Sequence, residues 1–137
     1  MKTVTLLSVV AFCAALVGCG RIYGPVEEVK AFIDAKDEVI LQISKKVEAA
    51  PTEAGVDEAR KVFEAKKADL KAKRDAIIQA PQGLNSDWNA MLAHSKDNDR
   101  KYFDTISGQL AVNCKSPCSP AQEKFRALEN DFMAATK

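Results

Sequence analysis

Apolar residues recur at helical spacing through most of the chain. Between Pro25 and Pro51 they form one stripe, in which Lys36 occupies the only charged stripe position. This first stripe consists of Val26, Val29, Ile33, Ile40, Ile43 and Val47. Apolar residues three or four positions apart line one face of an α-helix, and proline is tolerated in the first turn of a helix but not in its interior. The segment therefore predicts a long amphipathic helix from Gly24-Pro25 to the residues before Pro51.

A second long stripe lies between Thr52 and the Pro-Gln-Gly turn at 81–83. Thr52 is a favoured N-cap residue, so the second helix is predicted to begin just after it. Lys66 and Lys73 occupy two of the stripe positions. The apolar members of the stripe are Val56, Ala59, Phe63, Leu70 and Ile77.

A third stripe has a gap, and a fourth is short. The third consists of Trp88, Met91 or Leu92, Ser95, Tyr102, Ile106 and Leu110, and it ends near Asn113. The stretch 94–101 within it is polar. For the fourth helix, Ser119 is the predicted N-cap, Pro120 takes the first helical position and Gln122 completes a capping box. The short fourth stripe consists of Phe125, Leu128 and Phe132.

Together the four stripes predict an all-α fold. A helix with one apolar face must bury that face against other elements, and short connections favour antiparallel consecutive helices. We therefore expect residues 25–137 to form an antiparallel up-down helical bundle with three long helices and a shorter fourth.

The polar interruptions of three stripes fall at the same level of this bundle. With turns near Pro51 and 81–83, Lys36 lies level with Lys66, and Lys66 lies level with Asn98 or Asp99. One hypothesis is a semi-buried charged layer in which Lys36 and Lys66 face Asp99, since such layers fix helix register at some cost in stability. The alternative is that both lysines reach solvent along their aliphatic stems and the layer is wet.

The first 20 residues have the pattern of an export signal. Lys2 precedes an apolar run of about 14 residues, shorter than the roughly 20 that a membrane-spanning helix needs. The run ends in Leu16-Val17-Gly18-Cys19, which resembles the lipobox of bacterial lipoproteins. A secretory signal cut at a site with small residues is the nearest alternative, because Ala15 and Gly20 accompany Gly18.

The resemblance to lipoproteins implies a lipid anchor at Cys19. Residues 1–18 would be a signal peptide removed before Cys19, whose thiol takes a diacylglycerol and whose amine is acylated, for example with palmitate. Residues 19–24 would be a short tether, and several acyl chains on one residue would make membrane attachment stable. Gly20 is not the Asp that retains many lipoproteins at the inner membrane. The resemblance therefore implies an extracytoplasmic location, at the outer membrane if the organism has two membranes.

Charge narrows the range of partners. The chain has 20 Lys and Arg residues and 19 Asp and Glu residues, and removal of the signal with Lys2 would leave it formally neutral. Proteins that bind nucleic acid take most of their affinity from a basic face. We therefore expect no nucleic-acid partner.

Cysteine usage fits an oxidising compartment. With Cys13 in the signal and Cys19 carrying lipid, Cys114 and Cys118 remain, and an even pair outside the cytoplasm predicts a disulfide. A redox pair or a metal site is the alternative, but thioredoxin-like pairs usually have the shorter C-x-x-C spacing.

The sequence has no recognisable catalytic constellation. His94 is the only histidine, and alone it cannot form a zinc site or a catalytic triad. No phosphate-binding glycine loop or nucleophile motif is present, so we expect no enzymatic activity, metal or cofactor. The sequence favours an envelope lipoprotein that acts as a structural or protein-interaction module. The alternatives are a small-ligand carrier with a cavity in the wet mid-bundle layer, and an inhibitor or exclusion lipoprotein acting on an envelope protein.

Overall fold

The computed structural model describes residues 24–79, 86–114 and 119–137. Four helices occupy these ranges: α1 Gly24–Ala49, α2 Glu53–Gln79, α3 Ser86–Asn113 and α4 Ser119–Thr136. No β-strand occurs among the described residues. The all-α class predicted from the four stripes is therefore confirmed.

The turn between α1 and α2 is very tight. The amide of Ala50 donates to the carbonyl of Lys46 and the amide of Thr52 to the carbonyl of Ala50, which closes α1 and reverses the chain. The Thr52 carbonyl then accepts the first hydrogen bond of α2, from the amide of Val56. Gly55 packs so close to Ala50 that an added Cβ would lie 1.8 Å from the Ala50 carbonyl oxygen. Glycine is therefore required here for close packing.

The four helices form a bundle in which two pairs of helices lie diagonally opposite each other and have little or no contact in the part of the chain that the structure describes. α1 packs most extensively against α2 and also contacts α3, while α4 packs against α2 and α3. The other two combinations, α2 with α3 and α1 with α4, have at most marginal contact in the described ranges. Although α2 and α3 are consecutive, they are therefore not neighbours, because apolar faces and not short connections decide which helices pack together.

Most of the core lies in one cluster that all four helices share. Four phenylalanines at its centre, Phe63, Phe103, Phe125 and Phe132, are each at most 1% exposed. Their rings pack at centroid distances of 5.2–5.8 Å, in the tilted arrangements typical of aromatic pairs. In the third stripe Phe103 takes the core position, whereas Tyr102 is 55% exposed. The sequence-based choice of Tyr102 was therefore wrong by one residue.

A second, smaller cluster lies toward the start of α1. Val29 and Phe32 of α1 pack there against Ile77 of α2, and Trp88 and Leu92 of α3 cover them. Among the described residues, only those of α1, α2 and α3 belong to this cluster. The two clusters are separate groups of buried apolar residues.

Candidate functional site

Three buried polar residues lie where the two apolar clusters meet. Lys36, Ser95 and Asp99 are only 3%, 5% and 1% exposed. The Lys36 ammonium donates to Oδ2 of Asp99 at 2.5 Å and to Oγ of Ser95 at 2.7 Å. This arrangement is a charged layer inside the bundle, and it brings together two of the three residues proposed for it from the sequence.

Helical spacing aligns the two acceptors of the layer. Ser95 and Asp99 are four residues apart on α3, so their side chains lie on the same face, one turn apart. Lys36 reaches them from α1, and its Nζ also lies 5.4 Å from the centroid of the Phe32 ring. The polar stretch that interrupts the third stripe thus supplies the partners of the charged residue that interrupts the first.

Lys66, the third residue proposed for the layer, lies elsewhere. It is exposed on α2, between the buried stripe residues Phe63 and Leu70. The neighbouring Lys67 is half-buried and places its Nζ 5.3 Å from the Phe63 ring centroid. Phe63 and Leu70 are seven positions apart on α2. Lys66, one turn after Phe63, lies at the edge of the apolar face, where a lysine side chain reaches solvent along its aliphatic stem. Lys66 is therefore not part of the buried layer.

The carboxylate of Asp99 is only half satisfied by the protein. Oδ2 accepts from Lys36, whereas the buried Oδ1 has no hydrogen-bond partner among the described residues. Burial raises the pKa of Asp99, and the hydrogen bond and charge of Lys36 offset this only in part. Burial, and then the negative charge of Asp99, also raise the pKa of Asp37. Both carboxyl groups thus hold their protons more tightly in the folded protein than in the unfolded chain.

This pKa shift predicts how stability depends on pH. Because Asp99 has a higher pKa folded than unfolded, the folded state binds the proton first as pH falls, and Asp99 then contributes stability that disappears as pH rises. We expect wild type to gain stability relative to Asp99→Asn as pH falls from 7 toward 4, by about 1.4 kcal/mol per unit of pKa shift. Urea unfolding of both proteins at several pH values measures the difference. If the stability of wild type relative to Asp99→Asn stays constant or falls on acidification, the raised pKa of Asp99 is contradicted.

A partly open cavity of about 290 Å³ adjoins the charged layer. Its apolar lining includes Phe32, Ile77 and Leu92, and Lys36 and Asp99 belong to its wall. Met133 and Thr136 close one side at the end of α4. The cavity therefore lies at the level where α4 ends and α1, α2 and α3 continue.

Arg74 holds the last turn of α4 beside this cavity. Its guanidinium donates to the Ala135 carbonyl at 3.2 Å and to Oδ1 of Asp75 at 2.6 Å. The last carbonyls of a helix have no partner within the helix, so a cationic donor satisfies one of them and interacts favourably with the helix dipole. Sequence reasoning missed Arg74, whereas the hypothesis of a small-ligand carrier already placed a cavity in the mid-bundle layer.

Among the remaining residues proposed from the sequence, those that the structure describes lie outside this site. Cys19 lies outside the described residues. Cys114 is partly buried against the larger cluster, but Cys118 lies outside the described residues, so the disulfide stays a prediction. His94 is exposed on α3.

Two further properties concern only the described ranges. No group of three or more His, Cys, Asp or Glu residues there is arranged to hold a metal ion. None of the four helices combines the length and apolar character that crossing a membrane requires.

Comparison with known proteins found no similar family, protein or structure: no family model matches the sequence, and no curated protein or solved structure is significantly similar to it. The features of this chain that bear on its function are therefore the N-terminal signal pattern, the charged layer and the cavity.

Proposed function

We propose that this chain is a lipid-anchored lipoprotein of the cell envelope, without enzymatic activity, that acts as a structural or protein-interaction module. The observation that carries the proposal is the sequence Leu16-Val17-Gly18-Cys19, followed closely by the start of α1 at Gly24. Acyl chains on Cys19 would hold the protein at a membrane. The bundle would stand close to the lipid headgroups and present a helical face, or the turn containing Cys114 and Cys118, to an envelope protein.

An antiparallel up-down arrangement with three long helices and a shorter fourth is part of this proposal. The helices span 26, 27, 28 and 18 residues. In an up-down-up-down bundle α2 and α4 run in the same direction. Support comes from three contacts between them whose residue numbers rise together: Asp57 with Lys124, Arg60 with Asp131, and Arg74 with Ala135.

This arrangement would bring the cavity close to the membrane. Phe32, in the cavity wall, follows Gly24 by about 12 Å along α1 at the helical rise of 1.5 Å per residue. The cavity would therefore open in the half of the bundle nearest the lipid anchor, and the turn containing Cys114 and Cys118 would lie at the far end.

Lipid labelling and crosslinking test the proposal together. Wild-type protein is expected to incorporate labelled palmitate, to sediment with membranes, and to yield a crosslinked envelope partner in constant proportion. Cys19→Ser is expected to lose palmitate incorporation and membrane attachment, because the acyl chains on Cys19 are the proposed anchor. Cys13→Ser, which changes a cysteine ahead of the cleavage site, is the matched control and should behave as wild type. Palmitate incorporation in Cys19→Ser would refute the anchor, and wild type that crosslinks to no protein would refute the interaction role.

A second candidate function is the binding of a small ligand, and the cavity favours it. Binding sites for small molecules are typically concave, largely apolar and provided with a few polar groups, with volumes of about 300–1,000 Å³. The cavity of about 290 Å³ beside Lys36 and Asp99 lies at the lower limit of this range. A carrier of this type would need no catalytic residue.

A further inference from the structure

The cavity has room for a molecule larger than benzene. A buried apolar cavity of about 150 Å³ is enough to bind benzene, and this one measures about 290 Å³. Most of its wall is apolar, with Phe32, Ile77, Leu92 and Met133 contributed by all four helices. A compact apolar body of about two fused rings therefore matches its size and its lining.

One residue of the wall also has a hydrogen-bond acceptor that lacks a donor among the described residues. Asp99 belongs to the wall and is 1% exposed, and its Oδ1 has no partner among the described residues. An unsatisfied buried acceptor costs about 1–3 kcal/mol, and more when it is charged. A ligand that donates a hydrogen bond to Oδ1 would remove this cost, whereas a purely apolar ligand would leave it in place.

The charge balance of the layer favours an uncharged donor. Lys36 and Asp99 form a neutral pair. An ammonium group would place a second cation beside one carboxylate, and an anionic group would offer Oδ1 no proton. Either ion would add net charge to a buried site, which is costly. Of the other cations in the wall, Arg74 already donates to Asp75 and Ala135, and Lys96 and Lys137 are exposed to solvent.

We propose that the cavity binds a small, uncharged, largely apolar molecule whose single hydroxyl or N–H group donates a hydrogen bond to Oδ1 of Asp99. This assigns a ligand class to the second candidate function. The inference does not depend on the lipid anchor, because every contact that carries it lies within α1 to α4.

A matched ligand pair tests the hydrogen bond. The probes are 2-naphthol and 2-methylnaphthalene, which have similar shapes but differ in one hydroxyl group. Full-chain protein in phosphatidylcholine nanodiscs is titrated while the Ile77 and Met133 methyl NMR signals are followed, with affinities referred to free aqueous ligand. A hydrogen bond to a charged acceptor predicts at least about tenfold tighter binding of 2-naphthol. Equal affinities, or tighter binding of 2-naphthoate than of 2-naphthol, would overturn the proposal.

Two sets of variants locate the binding site. Ala93 is exposed and belongs to the cavity wall, so Ala93→Phe should weaken 2-naphthol binding at least tenfold without disturbing the core. Ala90→Phe, an exposed change on the same helix, should leave it unchanged. The double variant Lys36→Met, Asp99→Leu should abolish the preference for the hydroxyl group. Because each probe partitions into the lipid to the same extent in every sample, the change in preference from one protein variant to another does not depend on partitioning.

The outcomes separate this inference from the proposed anchor. The same titration is carried out on Cys19→Ser. Binding that survives both in this variant and in Ala93→Phe would locate the ligand outside the cavity and overturn the inference. If Cys19 takes up no palmitate while the cavity retains its preference for 2-naphthol, the anchor fails and the ligand site stands.

Discussion

Replacing Asp99 with Ala is expected to lower the free energy of unfolding by about 3–5 kcal/mol, the usual cost of removing one partner of a buried ion pair. The Lys36 side chain is 3% exposed, and without Asp99 it would keep only the Ser95 hydroxyl as an acceptor. A charge buried without a counterion is far more costly than one paired at the surface. Urea unfolding followed by circular dichroism at neutral pH measures the loss.

Asp131→Ala is the matched control for this experiment. Asp131 accepts a 2.7 Å hydrogen bond from Arg60, but its side chain is 48% exposed, and exposed ion pairs contribute only about 0.2–1 kcal/mol. Equal losses in Asp99→Ala and Asp131→Ala would show that the layer is wet. The double variant Lys36→Met, Asp99→Leu should recover most of the lost stability, since apolar replacement of a buried pair is often neutral or stabilising.

The charged layer shows how far sequence reasoning can reach. Interruptions in three helical stripes placed Lys36, Lys66 and Asp99 at one level of the bundle, and Lys36 and Asp99 do pair there. Ser95 was at a stripe position, yet its role as the second acceptor for Lys36 depends on side-chain geometry that spacing does not give. The prediction for Lys66 was wrong because a long lysine side chain at the edge of an apolar stripe can reach water.

The error at Tyr102 has a related cause. Because residues 94–101 are all polar, no apolar residue continues the stripe through the middle of α3. The apolar face of the second half of the helix therefore had to be predicted separately from that of the first half. On a helix of 3.6 residues per turn, an error of one residue rotates the face by about 100°. Phe103, and not Tyr102, therefore points into the core.

It was easier to predict where the helices begin and end than which helices pack against each other. Pro51 and the Thr52 cap mark the turn after α1, and Ser119-Pro120 marks the start of α4, through local chemistry that acts within one turn. Which helices pack side by side depends on apolar faces summed over whole helices, so the separation of α2 from α3 was not foreseen. The cavity depends on where α4 ends relative to three other helices, which no local pattern records.

The two clusters differ in how completely helices surround them. All four helices enclose the larger cluster, whereas α1, α2 and α3 form the smaller one, and the cavity lies beside it. Lys36 and Asp99 lie at the boundary, where a buried charge has an apolar core on one side and a cavity on the other. The polar group that fixes the register of α1 against α3 is thus also the group a ligand would meet.

Phe132→Ala is expected to destabilise the bundle by about 3–5 kcal/mol, the range for a large aromatic residue removed from a packed core. The Phe132 ring is fully buried and lies 5.2 Å from the Phe103 ring and 5.8 Å from the Phe63 ring, centroid to centroid. Its removal takes away both aromatic contacts and opens a cavity where α2, α3 and α4 meet. Thermal and urea unfolding measure the loss.

Tyr102→Ala is the control, because it removes an aromatic ring that is exposed instead of buried. Tyr102 is adjacent to Phe103 but 55% exposed, so removing its ring should change stability by no more than about 0.5 kcal/mol, as for other surface substitutions. A large loss in Tyr102→Ala with a small loss in Phe132→Ala would mean that α3 is rotated by about 100°, so that Tyr102 and not Phe103 faces the core. Rotation of α3 by that amount would also carry Asp99 away from Lys36, so the same pair of variants tests the helix orientation on which the charged layer depends.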